Sequence, residues 1–348
     1  MMRWLLGLLV VLGWALAQFK SEYKLSVVVA PNTPWGMGAQ RFADLVREKT
    51  EGKINIKVYY SGQLFAGQQT NEFQLLRSGV ADFAIGSTIN WSPQVKELNL
   101  FNLPFFFPSY KELDAVKEGQ AGRMIFQRLR QLGAEPLAWG ENGYRQLTNS
   151  KRPVRTPEDL AGLKIRVVGA PIFIDTFRAL GANPTSLNFS ETLTALQQGV
   201  VDGQENPIVG VIIPYKLWEL GQRYLTVWNY VIDPLIFAAS VQTWRSFPAE
   251  VQKAIQEAAL EAARYQTALA RAGMDDGTSA RYLASLGVKV EIPEPIAYLR
   301  NQGVQVTVLS PLEIGRFRDR VAGVVQRWMN EIGGTLVVQA EADKKRAR

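Results

Sequence analysis

An alternation of short apolar segments with amphipathic segments constrains the fold of this chain more than any other feature. Residues 24–30 (KLSVVVA) and 54–60 (INIKVYY) have the β-branched, turn-bounded character of strands. Between them, residues 38–50 carry apolar side chains at helical spacing on one face and charged side chains on the other. A strand–helix–strand order of this kind predicts a parallel sheet covered by helices.

The alternation resumes after residue 143. Residues 163–168 (LKIRVV) form a strand candidate, and residues 171–180 and 190–198 are predicted helices that end at glycines. Because the pattern occurs on both sides of residue 143, the sequence predicts two α/β lobes. The length of 348 residues is enough for two such domains.

Two further features predict how the lobes are joined. Strand candidates at residues 224–230 and 235–242, separated by an Asp-Pro pair, would cross between the lobes as a hinge. Residues 249–286 have a helical pattern, with Gly273 and Gly277 as places where the helix would break or bend. The predicted fold is therefore α/β and two-lobed, with crossing hinge strands and a long domain-spanning helix.

These features also give domain boundaries. Residues 1–17 are predicted to be a signal peptide. The first lobe is expected to comprise residues 18–142 plus about 232–272, and the second lobe residues 143–231 plus about 273–348.

The N-terminus predicts export. Arg3 supplies the positive start of a signal peptide, residues 4–14 its apolar middle, and residues 15–17 (ALA) a small-x-small cleavage site followed by Gln18. This apolar run is too short to span a bilayer comfortably. The chain has no cysteine to carry a lipid anchor, so we expect a free periplasmic protein that does not itself span the membrane.

Missing residue types exclude several kinds of chemistry. The chain contains neither histidine nor cysteine, so Ser–His and Cys–His nucleophile pairs and ordinary zinc sites are impossible. No phosphate-binding glycine signature and no nucleic-acid motif is present in the sequence. We therefore expect no cofactor, no metal and no nucleic-acid partner, and we expect that the protein is not an enzyme.

The segment from Asp159 to Pro207 contains the most specific candidates for ligand binding. Arg166 lies within the predicted strand 163–168, and residues 202–207 (DGQENP) are predicted to form a polar turn containing Asn206. Arginine presents a planar fork that grips a carboxylate with two hydrogen bonds. An arginine in an apolar strand is costly unless paired.

Two interpretations of this arginine stay open on the residues alone. Arg166 binds a ligand carboxylate, or it forms a structural ion pair with an acid such as Glu191 or Glu205. Arg145, in a glycine-punctuated segment, is a second candidate of the same kind.

Candidates in the first lobe follow from the predicted sheet. Ligands of open parallel sheets lie outside the carboxyl ends of the strands, which places Asn32, Trp35 and Ser87 near a cleft. The aromatic segment 98–108 (LNLFNLPFFFP) is either a wall that stacks on ligand or part of the core. The core interpretation is favoured, because large apolar runs are usually buried.

Several segments together resemble one family, the DctP-type substrate-binding proteins of TRAP (tripartite ATP-independent periplasmic) transporters. They are KRPVRTPEDLAGLKIRV (151–167), ALGANPT (179–185), ALQQGVVDGQENP (195–207) and FPAEVQKAIQEAA (247–259). The resemblance covers nearly all of the chain after the signal peptide.

The resemblance implies a periplasmic-binding-protein-like fold whose cleft closes on a small organic acid. It also implies delivery of that acid to the small and large TRAP membrane subunits. Residue by residue, Arg166 matches the arginine that binds the ligand carboxylate and Arg145 a second cleft arginine. Asn206 matches a ligand-facing amide and Phe189 an aromatic beside the ligand.

Departures from the family pattern narrow the range of expected ligands. Ala66, Gly67 and Ser87 stand where sialate-binding members carry acidic side chains, so a smaller mono- or dicarboxylate, such as a C4-dicarboxylate, fits better. Two other functions stay open: a module that presents a carboxylate to a sensor kinase, and an α/β lyase or hydrolase.

Overall fold

The computed structural model describes residues 19–347 of the 348-residue chain. The predicted signal peptide, residues 1–17, lies outside this range. Across residues 19–347, every helix is too short or too polar to cross a membrane.

Nine strands within the described residues form one mixed sheet, ordered β2-β1-β3-β8-β4-β7-β5-β6, with β9 paired to β8. The strands are β1 (Tyr23–Ser26), β2 (Ile56–Tyr59), β3 (Phe83–Ser87), β4 (Ala134–Asn149), β5 (Lys164–Val167), β6 (Asn183–Ser186), β7 (Gly203–Pro207), β8 (Tyr224–Ser240) and β9 (Gln305–Val308).

Helices cover this sheet. They are α1 (Pro34–Lys49), α2 (Glu72–Arg77), α3 (Thr88–Trp91), α4 (Tyr110–Glu118), α5 (Gln120–Gln131), α6 (Pro171–Ala179), α7 (Phe189–Gln197), α8 (Val241–Ser246), α9 (Ala249–Arg271), α10 (Thr278–Ser285), α11 (Pro295–Asn301), α12 (Pro311–Ile332) and α13 (Gly334–Ala347). Most of the shorter turns between them are 3-10 turns, among them Gln69–Asn71 and Lys96–Asn102.

Two long antiparallel strands, β4 and β8, join the two halves of the molecule. One end of β8 pairs with β3, and the far end of β4 pairs with β7. Bulges interrupt the β4–β8 ladder at Pro136/Ala138, Glu141/Gly143 and Arg145/Leu147, and bulges bend and twist a strand pair. The predicted two-lobed α/β class with crossing strands is confirmed.

The prediction of two separate strands in residues 224–242 was wrong, because β8 runs unbroken through Pro234. Proline lacks an N–H donor and normally interrupts a central strand. Here Pro234 lies opposite Glu141, next to the bulge, where the ladder is already irregular.

Helix α9 fixes the geometry of this crossing. Its buried face is largely alanine, and it packs on α1 and β4 while also reaching the turn Ile208–Ile212. Gln266 donates to the Glu141 carbonyl (2.7 Å) and accepts from the Glu141 N–H (2.8 Å), which completes the backbone hydrogen bonds at the bulge. The helix ends at Arg271, before Gly273, so the predicted break in the long helical pattern is confirmed.

The aromatic segment 98–108 lies in the core. Phe101 stacks on Phe107 at 5.7 Å between ring centroids, and both are buried. One apolar cluster includes this segment together with side chains of β5, α6, β8 and α12. Helix α13 packs on α4 and α5. The residue boundaries proposed for the lobes stay a prediction.

Candidate functional site

A cavity between the two halves of the sheet brings together side chains that are far apart in sequence. It is small, with about 330 Å³ of space between atoms when the solvent at its mouth is included. Its walls comprise Val28, Val29, Trp35, Gln69, Ser87, Ile89, Asn90, Asn142, Arg145, Arg166, Val168, Phe189, Asn206, Val211 and Asp233.

Arg166 is a buried guanidinium without a carboxylate partner. It lies in β5, is 1% exposed, and its Nε and Nη2 donate to the Leu187 carbonyl at 2.9 and 2.7 Å. Within residues 19–347 no acid forms an ion pair with it, so the structural ion pair with Glu191 or Glu205 is not formed. Burial lowers the pKa of Arg166 to about 10, despite the opposing attraction of Glu205.

Arg145 is buried to the same degree but is fully engaged. Its Nε and Nη2 contact the Glu205 carboxylate, and Nη2 also donates to the Glu205 carbonyl at 2.7 Å. Its Nη1 lies 3.5 Å from Asp233 Oδ2. Burial disfavours the charged form, but Glu205 and Asp233 outweigh it and raise the pKa of Arg145 above its ordinary value.

Asp233 places a buried carboxylate on the cavity wall. Its Oδ1 accepts from Ser87 Oγ at 2.6 Å, and its Oδ2 accepts from Asn142 Nδ2 at 3.0 Å. Burial raises the pKa of Asp233 above its ordinary value, against the lowering effects of Arg145, Ser87 and Asn142. Ser87 ends β3 and also accepts from the Ile89 N–H, so its hydroxyl is fixed in place.

Amide side chains supply the neutral polar part of the site. Asn206 lies in β7 and donates to Gln204 Oε1 at 2.5 Å. The prediction that residues 202–207 form a turn was therefore wrong, because residues 203–207 pair with β4 and β5. Across the cavity, Gln69 donates to Asn90 Oδ1 at 2.8 Å.

The remaining predicted residues differ in position. Trp35 is buried on the cavity wall and donates its indole N–H to the Ile85 carbonyl at 2.8 Å. Phe189 begins α7, with its ring centroid 6.0 Å from the Arg166 guanidinium carbon. Asn32 is exposed and lies outside the cavity lining, so the structure does not bring it together with Arg166.

Two hydrogen bonds connect the halves directly. The Phe189 N–H donates to Gln69 Oε1 at 2.6 Å, and the Ala30 N–H donates to the Tyr215 hydroxyl at 2.8 Å. Residues 30 and 69 belong to the β1–β3 half, and residues 189 and 215 to the β5–β7 half. These contacts hold the cleft narrow.

Sequence reasoning missed Gln69, Asn90, Asn142 and Asp233. Asp233 was noted only as part of an Asp-Pro pair between two strands, and the other three are isolated polar residues in unremarkable local sequence. No cluster of potential metal ligands occurs within residues 19–347. The Arg166 guanidinium and the amides on the cavity wall can form an ion pair and hydrogen bonds to an anionic solute.

Two lobes around a buried cleft with a free guanidinium define a solute receptor, and comparisons with known proteins agree. The family model for bacterial extracellular solute-binding protein, family 7, matches residues 25–331. A solute-binding protein from Verminephrobacter eiseniae is 32% identical over 326 residues, which are 93% of this chain and 90% of the relative. The C4-dicarboxylate-binding periplasmic protein of Rhodobacter capsulatus is 33% identical, over 71% of this chain and 73% of its own.

A solved structure gives the same result. The TRAP periplasmic solute-binding protein from Ralstonia eutropha H16, with bound (S)-2-acetolactate, is 46% identical and superimposes with a TM-score of 0.88. The match covers 94% of this chain and 100% of that one. The chain belongs to the family 7 extracellular solute-binding proteins and is a TRAP-type substrate-binding protein. The family and this structural neighbour are solute-binding receptors and not enzymes.

Proposed function

We propose that this protein binds a small organic acid in the cleft through Arg166, in the periplasm, and delivers it to the small and large membrane subunits of a TRAP transporter. The observation that carries the proposal is the buried, unpaired guanidinium of Arg166 on the cavity wall.

A buried cation without a counter-ion is unfavourable, because it loses hydration without gaining an ion pair. A ligand carboxylate supplies the missing charge and accepts charge-assisted hydrogen bonds from the guanidinium. The Leu187 carbonyl holds Nε and Nη2 in place, so the guanidinium is oriented before the ligand arrives. This orientation lowers the entropic cost of binding.

The other predicted residues have supporting roles in this proposal. Asn206 and Phe189 border Arg166 and orient the ligand, and Arg145 shapes the wall while it stays paired with Glu205. Trp35 and Ser87 contribute the opposite wall. Ligand contacts to both walls favour the closed form, because a ligand shifts a conformational equilibrium only through differential affinity.

Relatives support this class of ligand. The Rhodobacter relative is named for C4-dicarboxylates, and the Ralstonia structure holds (S)-2-acetolactate, a carboxylate. Both the positioned arginine and these ligands point to a carboxylate as the feature that is recognised.

The binding step is tested with purified mature protein against a panel of mono-, di- and hydroxycarboxylates, first by thermal shift and then by calorimetry. We expect at least one acid to bind and Arg166→Ala to abolish measurable binding with the fold intact. Arg178→Ala is the control, because Arg178 is exposed on α6 of the same half. Unchanged affinity of Arg166→Ala for the acid would overturn the assignment.

Delivery is tested separately, in vesicles that contain the TRAP membrane subunits. We expect uptake of the bound acid only when the receptor is added and an ion gradient is present. Equal uptake without the receptor would contradict the transport role while leaving the binding result intact.

A further inference from the structure

Among the described residues, three buried ionisable side chains line the cleft, namely Arg145, Arg166 and Asp233, and a fourth, Glu205, is paired with Arg145. Arg145 is paired with Glu205 and lies beside Asp233, while Arg166 has no acid partner within residues 19–347. All four side chains are 2% exposed or less. Of the two cations that this part of the chain places on the cavity wall, Arg145 is shared by Glu205 and Asp233, so Arg166 is the one guanidinium left to pair with a ligand carboxylate.

A second ligand carboxylate would meet a carboxylate already in place. Asp233 lines the same small cavity as Arg166. Its three donors, Ser87, Asn142 and Arg145, all belong to the protein and stabilise its negative charge. Like charges brought together in a buried site repel strongly, so Asp233 disfavours a dicarboxylate.

The rest of the cavity lining suits a ligand that is uncharged apart from its one carboxylate. Five aliphatic side chains form much of the wall: Val28, Val29, Ile89, Val168 and Val211. Neutral amides lie among them, including Asn90 and Asn206. The Asp233 carboxylate has further lone pairs that accept a hydrogen bond from a ligand hydroxyl. An uncharged oxygen substituent is therefore accommodated where a carboxylate is not.

We propose that the ligand is a small monocarboxylate with a hydroxyl or oxo group, and that Asp233 is the specificity-determining residue that excludes dicarboxylates. This inference rests on the proposed function, since it names the class of acid bound by the same site.

The test compares 2-hydroxybutanoate with malate on the wild-type mature protein by calorimetry. The two acids share four carbons and the 2-hydroxyl, and differ only in a methyl group where malate has its second carboxylate. Both enantiomers are measured. We expect 2-hydroxybutanoate or its 2-oxo analogue to bind at least about tenfold more tightly than malate. Butanoate, without the oxygen substituent, is expected to bind at least about tenfold more weakly than 2-hydroxybutanoate.

Asp233→Asn then tests whether the charge of Asp233 causes this preference, because the substitution keeps the size of the side chain and removes its charge. We expect the affinity ratio of 2-hydroxybutanoate to malate to fall by about tenfold or more in this variant. An unchanged ratio would overturn the role of Asp233. If the variant does not fold, the wild-type ratio alone decides the ligand class.

The two proposals fail in different ways. Malate or succinate binding as tightly as 2-hydroxybutanoate, with Arg166→Ala abolishing both, would overturn this inference and leave the proposed function standing. Butanoate binding as tightly as 2-hydroxybutanoate would overturn the hydroxyl or oxo requirement. No binding of any acid would overturn both proposals.

Discussion

Two arginines in the same cleft have opposite surroundings. Arg145 and Arg166 are 2% and 1% exposed, and both line the cavity. Arg145 holds two carboxylates, whereas Arg166 holds only the carbonyl of Leu187. The pKa of Arg145 is raised and that of Arg166 is lowered to about 10, which records the same difference.

The difference teaches that burial of an arginine does not by itself indicate a binding residue. The paired guanidinium connects β4, β7 and β8 and stabilises the crossing of the strands. The unpaired guanidinium is a net cost to the fold, which the proposed ligand carboxylate would remove. Matched substitutions of the two residues separate stability from binding.

The largest effect is expected from Arg145→Met. This change leaves Glu205 and Asp233 buried without their cation, and removal of one partner of a buried ion pair typically costs about 3–5 kcal/mol. Urea denaturation monitored by fluorescence measures the loss, with exposed Arg178→Met as control. A loss below about 1 kcal/mol would mean that the pair does not stabilise the crossing.

Arg166→Met is the matched counterpart. We expect the free energy of unfolding to stay within about 1 kcal/mol of wild type, because the lost bonds to Leu187 are offset by removal of an unpaired buried charge. Affinity for the bound acid should fall by about 100-fold or more, or about 2.7 kcal/mol, by calorimetry. A variant as unstable as Arg145→Met would remove the contrast between the two residues.

Glu72 extends the comparison to a buried acid that has no cation partner among residues 19–347. It is fully buried, and Ser26 Oγ and Trp91 Nε1 donate to it at 2.8 and 3.1 Å. Burial raises the pKa of Glu72 from 4.5 to about 8. Between these values the folded protein keeps a proton that the unfolded chain loses, so its contribution to stability falls as pH rises.

Glu72→Gln keeps the shape of the side chain and removes this titration. As pH rises from 5.5 to 7.5, we expect the free energy of unfolding of the variant to increase by about 1–3 kcal/mol relative to that of wild type. Thermal unfolding of both proteins across this range measures the gain. Parallel stability–pH curves would show that Glu72 does not titrate there.

Tyr230→Phe has the smallest expected effect and sharpens the role of Glu205. The Tyr230 hydroxyl donates to Glu205 Oε2 at 2.7 Å. Its removal should cost about 1–2 kcal/mol of stability and leave ligand affinity within about threefold of wild type. A large loss of affinity would instead place the Arg145–Glu205 pair in ligand binding.

Local sequence was enough to predict the class of fold and to identify Arg166 and Arg145 as candidate ligand residues. The strand and helix periods of residues 24–60 and 163–198 predicted the α/β alternation, and the motif around Arg166 marked this residue as a candidate. The prediction of two strands in place of β8 was wrong because an Asp-Pro pair normally ends a strand. At residues 203–207 a polar composition concealed a strand buried between β4 and β5.

Long-range pairing explains what the sequence did not give. Asp233 meets Ser87 and Asn142 only because β8 lies between β3 and β4 in the folded sheet. The pairing of Arg145 with Glu205 likewise depends on the β4–β7 register. A single sequence contains no local signal of either register, so the paired and free arginines were indistinguishable until the fold was known.

The hydrogen bonds from Phe189 to Gln69 and from Ala30 to Tyr215 have a consequence for ligand binding. They allow the overall affinity of the receptor to change independently of its specificity. Both join backbone to side chain across the cleft and involve no ligand atom. Under the proposed closure, weakening the bond between Ala30 and Tyr215, which lie outside the cavity lining, would lower the fraction of closed receptor and weaken every ligand by the same factor. Mutations at Tyr215 would therefore rescale the whole affinity series without reordering it, whereas changes at Asp233 would reorder it.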